Sequence, residues 1–262
     1  MLEKSSNELK VAKIQTELFW EDPGKNRRQF QEKISEFSEA VDLIVLPEMF
    51  TSGFTMNAEK VAESMQGTTV NWMKQLAKST NAAITGSIVI KEKGSYFNRL
   101  LFVAPDGSCE YYDKKHRFTL AGEQKVYSAG KTHKLIEYRG WKILPLICYD
   151  LRFPVWARNT MDYDLLLYVA NWPKVRISAW DILLQARAIE NMCYCIGVNR
   201  IGKDGNGHEY SGHTSAYDAL GNRLDDLTEK ESETIIILEK SKIRDLRAKL
   251  GFLEDRDNFT LE

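Results

Sequence analysis

Three residues whose side chains could perform a reaction together each stand at the end of a strand-like segment. Glu48 ends the stretch DLIVLPE, Cys148 ends WKILPLIC, and Lys114 follows EYYD. Reactive groups in α/β proteins gather at the carboxyl ends of strands, so these side chains could meet. A partly buried carboxylate can act as a base, a thiolate is a nucleophile, and an ammonium can stabilise developing negative charge. The combination suits nucleophilic attack on a carbonyl carbon.

Each of these residues, taken alone, has a plainer interpretation. Glu48 would be a solvated loop carboxylate, Lys114 a surface lysine, and Cys148 a small buried apolar residue. Asn171 and Trp172 end a further strand-like run, DLLLYVANW. Only the occurrence of several polar residues at several strand ends favours a reaction site over these separate interpretations.

Strand-like runs recur along the chain and alternate with amphipathic patterns. Several runs are nearly all apolar, as in strands that are covered on both faces. The spacing of apolar residues predicts helices over 24–40, 68–80 and 177–192. Strand–helix–strand units and hairpin-like pairs together indicate an α/β fold with more than one sheet, and no linker divides residues 1–262, so we expect one domain. The predicted strands are 9–15, 42–47, 82–90, 99–104, 141–148, 164–170, 193–200, 213–219 and 233–239.

Composition and charge narrow the classes of function. The 262 residues are 43% hydrophobic and 28% charged, with a formal net charge of −1, which argues against a nucleic-acid partner. The polar N-terminal stretch is unlike a secretion signal and no apolar run is long enough to span a membrane, so we expect a cytoplasmic protein with reduced thiols and no membrane contact. Cys193 and Cys195 are interpreted as packing residues. No phosphate-binding loop or metal-ligand pair is visible, so we expect no cofactor and no metal.

The segments LPEMF, YDKKHRF and ICYDLRFP resemble, in this order, the three signature segments of the nitrilase (carbon–nitrogen hydrolase) superfamily. Further segments resemble the bacterial ω-amidase branch, whose members act on 2-oxoglutaramate. The sequence departs from many superfamily members at Val155, where they carry a glutamate. The segments that carry the branch resemblance are VANWP, QARAIEN and FLEDRDNFTL.

The resemblance implies a four-layer αββα sandwich and a catalytic triad of Glu48, Lys114 and Cys148. Lys114 rather than Lys115 matches, because the superfamily's lysine stands two residues before the histidine. Glu123 matches a second glutamate found near the triad, where it could orient Lys114. The expected reaction is hydrolysis of the terminal carboxamide of a short 2-oxo dicarboxylic acid monoamide through a thioester on Cys148.

The residues that follow Cys148 have two expected tasks. Lys114 and the backbone N–H of Tyr149 would stabilise the oxyanion that forms when the carbonyl carbon is attacked. Asp150 and Arg152 are interpreted as residues that hold the turn.

Three other interpretations remain open from the sequence. The same triad could serve a nitrilase or an N-carbamoyl amidohydrolase. A cysteine–histidine hydrolase could use His116 or His213 as its base. A non-enzymatic redox or scaffold protein could carry Cys148 in its core.

The substrate of an ω-amidase is a short acid, so its site needs an apolar wall and a cation. Phe54 and Trp172 could supply the wall. Lys174 and Arg176 follow a strand end, and Arg176 is the better carboxylate ligand because its planar guanidinium binds both oxygens. The alternative is that both are solvated residues at the start of the helix near 177. Arg200 is the next candidate.

The superfamily resemblance also predicts a homodimer formed through helical layers. It would involve residues 152–159, residues 185–191 and the C-terminal tail 250–262. Trp156 and Phe252 are expected to be exposed aromatic residues that this contact covers.

Overall fold

Two β-sheets pack face to face between outer helices in this computed structural model, which describes residues 7–261. The first sheet has the strand order β13-β1-β2-β3-β4-β5. Its two parallel pairs are β1–β2 and β2–β3, and its other pairs are antiparallel. These strands are β1 (Glu8–Gln15), β2 (Leu43–Val45), β3 (Ala83–Glu92), β4 (Ser95–Val103), β5 (Cys109–Asp113) and β13 (Ser232–Glu239).

The second sheet has the strand order β12-β9-β8-β7-β6, with β7, β8 and β9 parallel. A separate hairpin lies between the chain positions of β9 and β12. The second sheet consists of β6 (Ile136–Tyr138), β7 (Trp141–Ile147), β8 (Leu165–Val169), β9 (Tyr194–Val198) and β12 (Ser215–Tyr217). The separate hairpin consists of β10 (Ile201–Lys203) and β11 (Glu209–Ser211).

The sheets are apolar on both faces, as their nearly continuous apolar runs predicted. In β1, Leu9 and Val11 belong to the core between the two sheets, whereas Ala12 and Ile14 belong to the core beneath the outer helices. Because successive side chains of a strand point to opposite faces, such a strand must be apolar at almost every position. The four-layer αββα arrangement is therefore confirmed.

Helices cover the outer face of each sheet. The helices are α1 (Pro23–Ser35), α2 (Ala58–Val61), α3 (Thr68–Thr80), α4 (Pro154–Ala157), α5 (Ile177–Glu190) and α6 (Lys240–Leu250). Helices α1 and α3 pack Phe30 and Met73 onto the first sheet, and α5 packs onto the second. A Cβ on Gly197 would lie 2.4 Å from a Leu184 methyl and 2.6 Å from the Trp180 ring, so this glycine allows α5 to approach β9 closely. None of the helices in the described ranges is long and apolar enough to cross a membrane.

The first helix ends earlier than its sequence pattern suggested. It starts where Asp22 accepts a hydrogen bond from the Lys25 backbone N–H at 3.0 Å and Pro23 occupies the first turn. It ends at Ser35 rather than near 40, because the next N–H groups turn back onto carbonyls three residues earlier, Glu36 to Lys33 and Phe37 to Ile34.

The expectation that Trp156 is exposed is wrong. Its side chain is 6% exposed, stacks on His133 at a centroid distance of 3.7 Å, and donates a hydrogen bond to the Tyr112 hydroxyl at 3.0 Å. Phe252, by contrast, is 57% exposed. Cys193 and Cys195 are fully buried, as their interpretation as packing residues required.

Candidate active site

The ends of strands from both sheets meet at one place. Glu48 follows β2 and Lys114 follows β5 in the first sheet, whereas Cys148 follows β7 and Asn171 follows β8 in the second. Contacts among these residues cross from one sheet to the other, as in the bond from the Asn171 backbone N–H to Glu48 Oε2 at 2.8 Å. The cluster therefore depends on the packing of the two sheets rather than on any local segment.

Lys114 is buried between two carboxylates. Its ammonium donates hydrogen bonds to Glu48 Oε1 at 2.9 Å and to both carboxylate oxygens of Glu123 at 3.1 and 3.0 Å. Burial lowers the pKa of Lys114, but the negative charges of Glu123 and Glu48 outweigh it and leave the pKa raised. Lys114 is therefore a fixed positive charge.

Glu48 is buried, and each of its carboxylate oxygens is hydrogen-bonded. Oε1 accepts from Asn98 Nδ2 at 2.8 Å as well as from Lys114, and Oε2 accepts from the Asn171 backbone N–H. Asn171 Nδ2 also donates to the Glu48 carbonyl oxygen at 2.6 Å. These contacts fix the orientation of the carboxylate.

Glu123 lies in a short 3₁₀ turn and is buried against Lys114. Its carboxylate also accepts hydrogen bonds from the Phe118 backbone N–H and from Asn98 Nδ2, the latter at 3.4 Å. Burial raises the pKa of Glu123, and the charge of Glu48 raises it further against the opposing effect of Lys114. Glu123 therefore contacts Lys114, the residue that the sequence analysis expected it to orient.

Cys148 begins the 3₁₀ turn Cys148–Arg152 with a backbone φ of 45°, a conformation that non-glycine residues rarely adopt. Burial raises the pKa of its thiol, the negative charge of Glu48 raises it further, and Lys114 partly offsets both. These effects favour the neutral thiol over the thiolate. A side-chain interaction with Glu48 raises the pKa of the thiol in the same direction, so this carboxylate is a neighbour of the thiol.

Asp150 holds the turn, as expected. It is buried, and its Oδ2 accepts hydrogen bonds from the Ile147 backbone N–H at 3.0 Å and from the Tyr112 hydroxyl at 2.8 Å. Its Oδ1 accepts from the His116 backbone N–H at 2.9 Å and contacts His116 Nδ1 at 2.8 Å. Asp150 therefore connects the turn of Cys148 to the segment that carries Lys114.

A cavity opens beside the thiol. It contains about 720 Å³ of empty space, including its open mouth. Phe54, Trp172 and Arg176 line it, whereas Lys174 does not and instead lies at the surface, 3.5 Å from Glu229. The remaining lining residues are Lys114, Phe118, Leu120, Ala121, Cys148, Tyr149, Arg152, Asn171, Pro173, His208 and Tyr210.

The sequence analysis did not predict that Arg152 lines the cavity, whereas it did propose Arg176. Arg152, interpreted as a turn residue, extends over the Trp172 ring, with its guanidinium carbon 4.9 Å from the ring centroid. Arg176 lies similarly over Phe118 at 5.2 Å. Neither guanidinium has a carboxylate partner within residues 7–261. The position of Arg152, only four residues after Cys148, could have indicated that its side chain lies near the thiol.

Other residues that the sequence reasoning suggested lie elsewhere. His116 stacks on Phe153 at a centroid distance of 3.6 Å, His213 pairs with Asp181 at 2.9 Å, and neither lines the cavity. Arg200 is buried, and its guanidinium carbon lies 4.7 Å from the centroid of the Tyr210 ring. Over the described part of the chain, no three His, Cys, Asp or Glu side chains converge as metal ligands would.

Comparison with known proteins identifies the family. The sequence model of the carbon–nitrogen hydrolase family matches residues 10–247. The chain is 44% identical to "Omega-amidase YafV" of Escherichia coli K12 over 255 residues, which is 97% of this chain and 98% of that protein. It is 32% identical to "2-oxoglutaramate amidase" of Bacillus subtilis over 219 residues, 82% of this chain and 84% of the relative.

Solved structures agree with the sequence comparisons. The crystal structure of XC1258 from Xanthomonas campestris, described as a CN-hydrolase superfamily protein with an arsenic adduct in its active site, superposes with a TM-score of 0.95 at 40% identity. That match covers 97% of this chain and 99% of the other. Nit3 of Saccharomyces cerevisiae, at 22% identity and a TM-score of 0.84 over 94% and 97% of the two chains, shares the fold. By its sequence and its fold, this chain belongs to the carbon–nitrogen hydrolase family.

Proposed function

We propose that this hydrolase cleaves the terminal carboxamide of short 2-oxo dicarboxylic acid monoamides, such as 2-oxoglutaramate and 2-oxosuccinamate, to the dicarboxylate and ammonia. The observation that carries the proposal is the arrangement of one cavity. Cys148 and the buried Lys114 lie in its wall together with the guanidinium groups of Arg152 and Arg176. The names of the ω-amidase and 2-oxoglutaramate amidase relatives support the same substrate class.

Acylation starts with proton transfer from the Cys148 thiol to the Glu48 carboxylate. The thiolate sulfur then attacks the carboxamide carbon, and the carbonyl π electrons move onto oxygen. When the tetrahedral intermediate collapses, the carbon–nitrogen bond breaks and Glu48 returns its proton to the departing nitrogen, which leaves as ammonia. A thioester between Cys148 and the acid remains.

Deacylation uses the same carboxylate. Glu48 removes a proton from a water molecule, whose oxygen attacks the thioester carbon. The carbon–sulfur bond then breaks, and Glu48 gives the proton to the Cys148 sulfur. The product is the dicarboxylic acid, and both enzyme groups return to their starting protonation states.

Lys114 and the backbone N–H of Tyr149 are assigned to the oxyanion. The Lys114 ammonium is fixed by Glu48 and Glu123, so its charge is in place before the reaction begins. Preorganised donors stabilise a transition state without a cost of reorganisation, and the loss of one donor typically raises the barrier by about 3 kcal/mol. Glu123 acts here as a positioning residue for Lys114.

Arg152 and Arg176 are assigned to the acid end of the substrate. Both line the cavity, and no carboxylate within the described residues neutralises either guanidinium. Phe54 and Trp172 supply the apolar wall for the short carbon chain. Lys174 is a weaker candidate, because its ammonium already lies near Glu229 outside the cavity.

We also propose a homodimer formed through the outer face of α5. Ile182 and Ile189 are seven residues apart on α5, hence on one face of the helix, and are 65% and 47% exposed. Leu220 and Val155 are also exposed large apolar residues. A solution mass by light scattering of about twice the 30.1 kDa monomer is expected, and a monomer mass would contradict the proposal.

An ammonia-release panel tests the reaction itself. It compares 2-oxoglutaramate, 2-oxosuccinamate, propionamide, an N-carbamoyl amino acid and a short nitrile. We expect the two 2-oxo acid monoamides to have the highest kcat/KM. A preference for the carbamoyl compound or the nitrile would replace this proposal with one of those activities of the same family.

A further inference from the structure

The side chain of Asn171 has a hydrogen-bonded end and an unpaired end. Its Nδ2 donates to the Glu48 carbonyl oxygen at 2.6 Å, which defines the opposite atom, Oδ1, as the oxygen. Asn171 is 4% exposed, and its Oδ1 is buried without a donor within residues 7–261. Among the described residues that line the cavity, no other side chain has a buried polar atom in this condition.

An unpaired buried acceptor is costly, and native structures rarely retain one without a reason. Asn171 lines the same cavity as Cys148, so a bound molecule that carries an N–H group could supply the missing donor. The Asn171 backbone N–H also donates to Glu48 Oε2, which places the residue beside the carboxylate assigned to protonate the leaving nitrogen. In the proposed mechanism the leaving nitrogen approaches Glu48 and thereby comes near Asn171.

We propose that Asn171 Oδ1 accepts a hydrogen bond from the N–H of the substrate carboxamide and so makes Asn171 a specificity-determining residue for primary amides. The inference rests on the proposed amidase function. A primary carboxamide has two N–H donors, and one of them can bind Asn171 while the nitrogen lone pair that appears in the tetrahedral intermediate takes the proton of Glu48. An ester presents only lone pairs to Oδ1, and a nitrile has no N–H.

The test compares an amide with the ester of the same acid. 2-Oxoglutaramate and its ω-methyl ester counterpart form the same acyl-enzyme, so deacylation is identical for both and kcat/KM reports acylation. We expect Asn171→Ala to lower kcat/KM for the amide about tenfold more than for the ester, because the lost bond from Nδ2 to the Glu48 carbonyl oxygen affects both substrates alike. Propionamide and methyl propionate provide a second pair that does not depend on the acid end.

Asn98→Ala is the matched control. Asn98 also donates to Glu48, at 2.8 Å from Oε1, but it does not line the cavity. Its removal disturbs Glu48 and, more weakly, Glu123, which both substrates need, and should therefore slow the amide and the ester by the same factor. Equal losses on both substrates in Asn171→Ala would mean that Asn171 only positions Glu48, and would overturn the inference.

A binding measurement covers the case in which the ester is turned over too slowly. Calorimetry would compare the affinities of the amide and the ester for two inactive proteins, Cys148→Ala and Cys148→Ala/Asn171→Ala. We expect the substitution to weaken the amide alone by about tenfold. Unchanged amide affinity would reject the inference. Failure of the parent enzyme to hydrolyse either 2-oxo acid monoamide would instead reject the proposed function. In that case propionamide and methyl propionate would still test Asn171.

Discussion

Lys114 Nζ donates a hydrogen bond to Glu48 Oε1 at 2.9 Å, and both side chains are buried. A cation and a base in direct contact stabilise each other's charged form, so neither can be replaced without changing the other. Glu123 contributes a second carboxylate on the far side of the ammonium, with its two oxygens 3.1 and 3.0 Å away. The positive charge of Lys114 is thus held from two directions.

The first prediction compares the two adjacent lysines. Lys114→Ala should lower kcat by about 10²- to 10³-fold, because it removes the fixed charge assigned to the oxyanion. Lys115→Ala should change kcat by less than about twofold, because Lys115 lies over the Trp156 ring at 5.1 Å and does not line the cavity. Steady-state kinetics on 2-oxoglutaramate measure both, and thermal unfolding confirms that each variant is folded. The reverse pattern would mean that Lys115, and not Lys114, takes part in the reaction.

The second prediction concerns Glu48→Gln. The amide keeps the approximate shape of the side chain but cannot accept the thiol proton, so turnover should fall by at least about a hundredfold. The variant should nevertheless ionise Cys148 more easily. The negative charge of Glu48 raises the pKa of the Cys148 thiol, so neutralising residue 48 lowers that pKa and moves thiolate formation to lower pH.

The ultraviolet absorbance of the thiolate, titrated against pH, measures this shift directly. The signal of Cys148 is obtained by subtracting the same titration of Cys148→Ala, or of Glu48→Gln/Cys148→Ala for the variant. A midpoint that rises in Glu48→Gln would contradict the electrostatic account. Near-normal turnover in the same variant would remove Glu48 from the mechanism.

The meeting of Glu48, Lys114 and Cys148 could be predicted because each follows a recognisable strand, and strand ends are where α/β folds collect reactive groups. The contact of Asn98 with Glu48 could not be predicted, because Asn98 lies inside β4. Nothing in a strand interior indicates which side chain will contact a residue fifty positions earlier. Trp156 was misjudged because its burial depends on His133, which reaches it from a different segment of the chain. Such contacts follow from how the two sheets pack and have no local signature.

Helix α6 shows a second limit of the sequence pattern. Its segment KSKIRDLRAKL is strongly charged, and Ile243 is its one buried residue. Ile243, Leu246 and Leu250 have helical spacing, but only Ile243 is buried and most of the segment is charged, and the sequence analysis did not predict a helix here. Its position is set instead by Arg247, which donates to the carbonyl oxygens of Met192 and Tyr163, both at 2.7 Å.

The third prediction is about stability. Asp150→Ala would leave the Ile147 N–H, the Tyr112 hydroxyl and the His116 N–H without their acceptor. Each unpaired buried group costs about 1–3 kcal/mol, so the free energy of unfolding should fall by at least about 3 kcal/mol. Urea unfolding followed by circular dichroism measures it, with Asp226→Ala, at an exposed aspartate, as the control. A loss of less than about 1 kcal/mol would show that the turn at Cys148 is held by other contacts.

The last prediction concerns the acid end of the substrate. Arg176→Ala and Arg152→Ala should each lower kcat/KM for 2-oxoglutaramate by about ten- to a hundredfold, because a charged hydrogen bond contributes about 1.5–3 kcal/mol. Both should spare propionamide, which has no carboxylate. Lys174→Ala is the control, since Lys174 lies outside the cavity near Glu229. If one arginine variant loses activity equally on both substrates, its guanidinium supports the cavity wall by stacking on Phe118 or Trp172 rather than binding the acid. If Lys174→Ala alone becomes selective against the dicarboxylate monoamide, the acid end binds at the surface and the cavity arginines have another role.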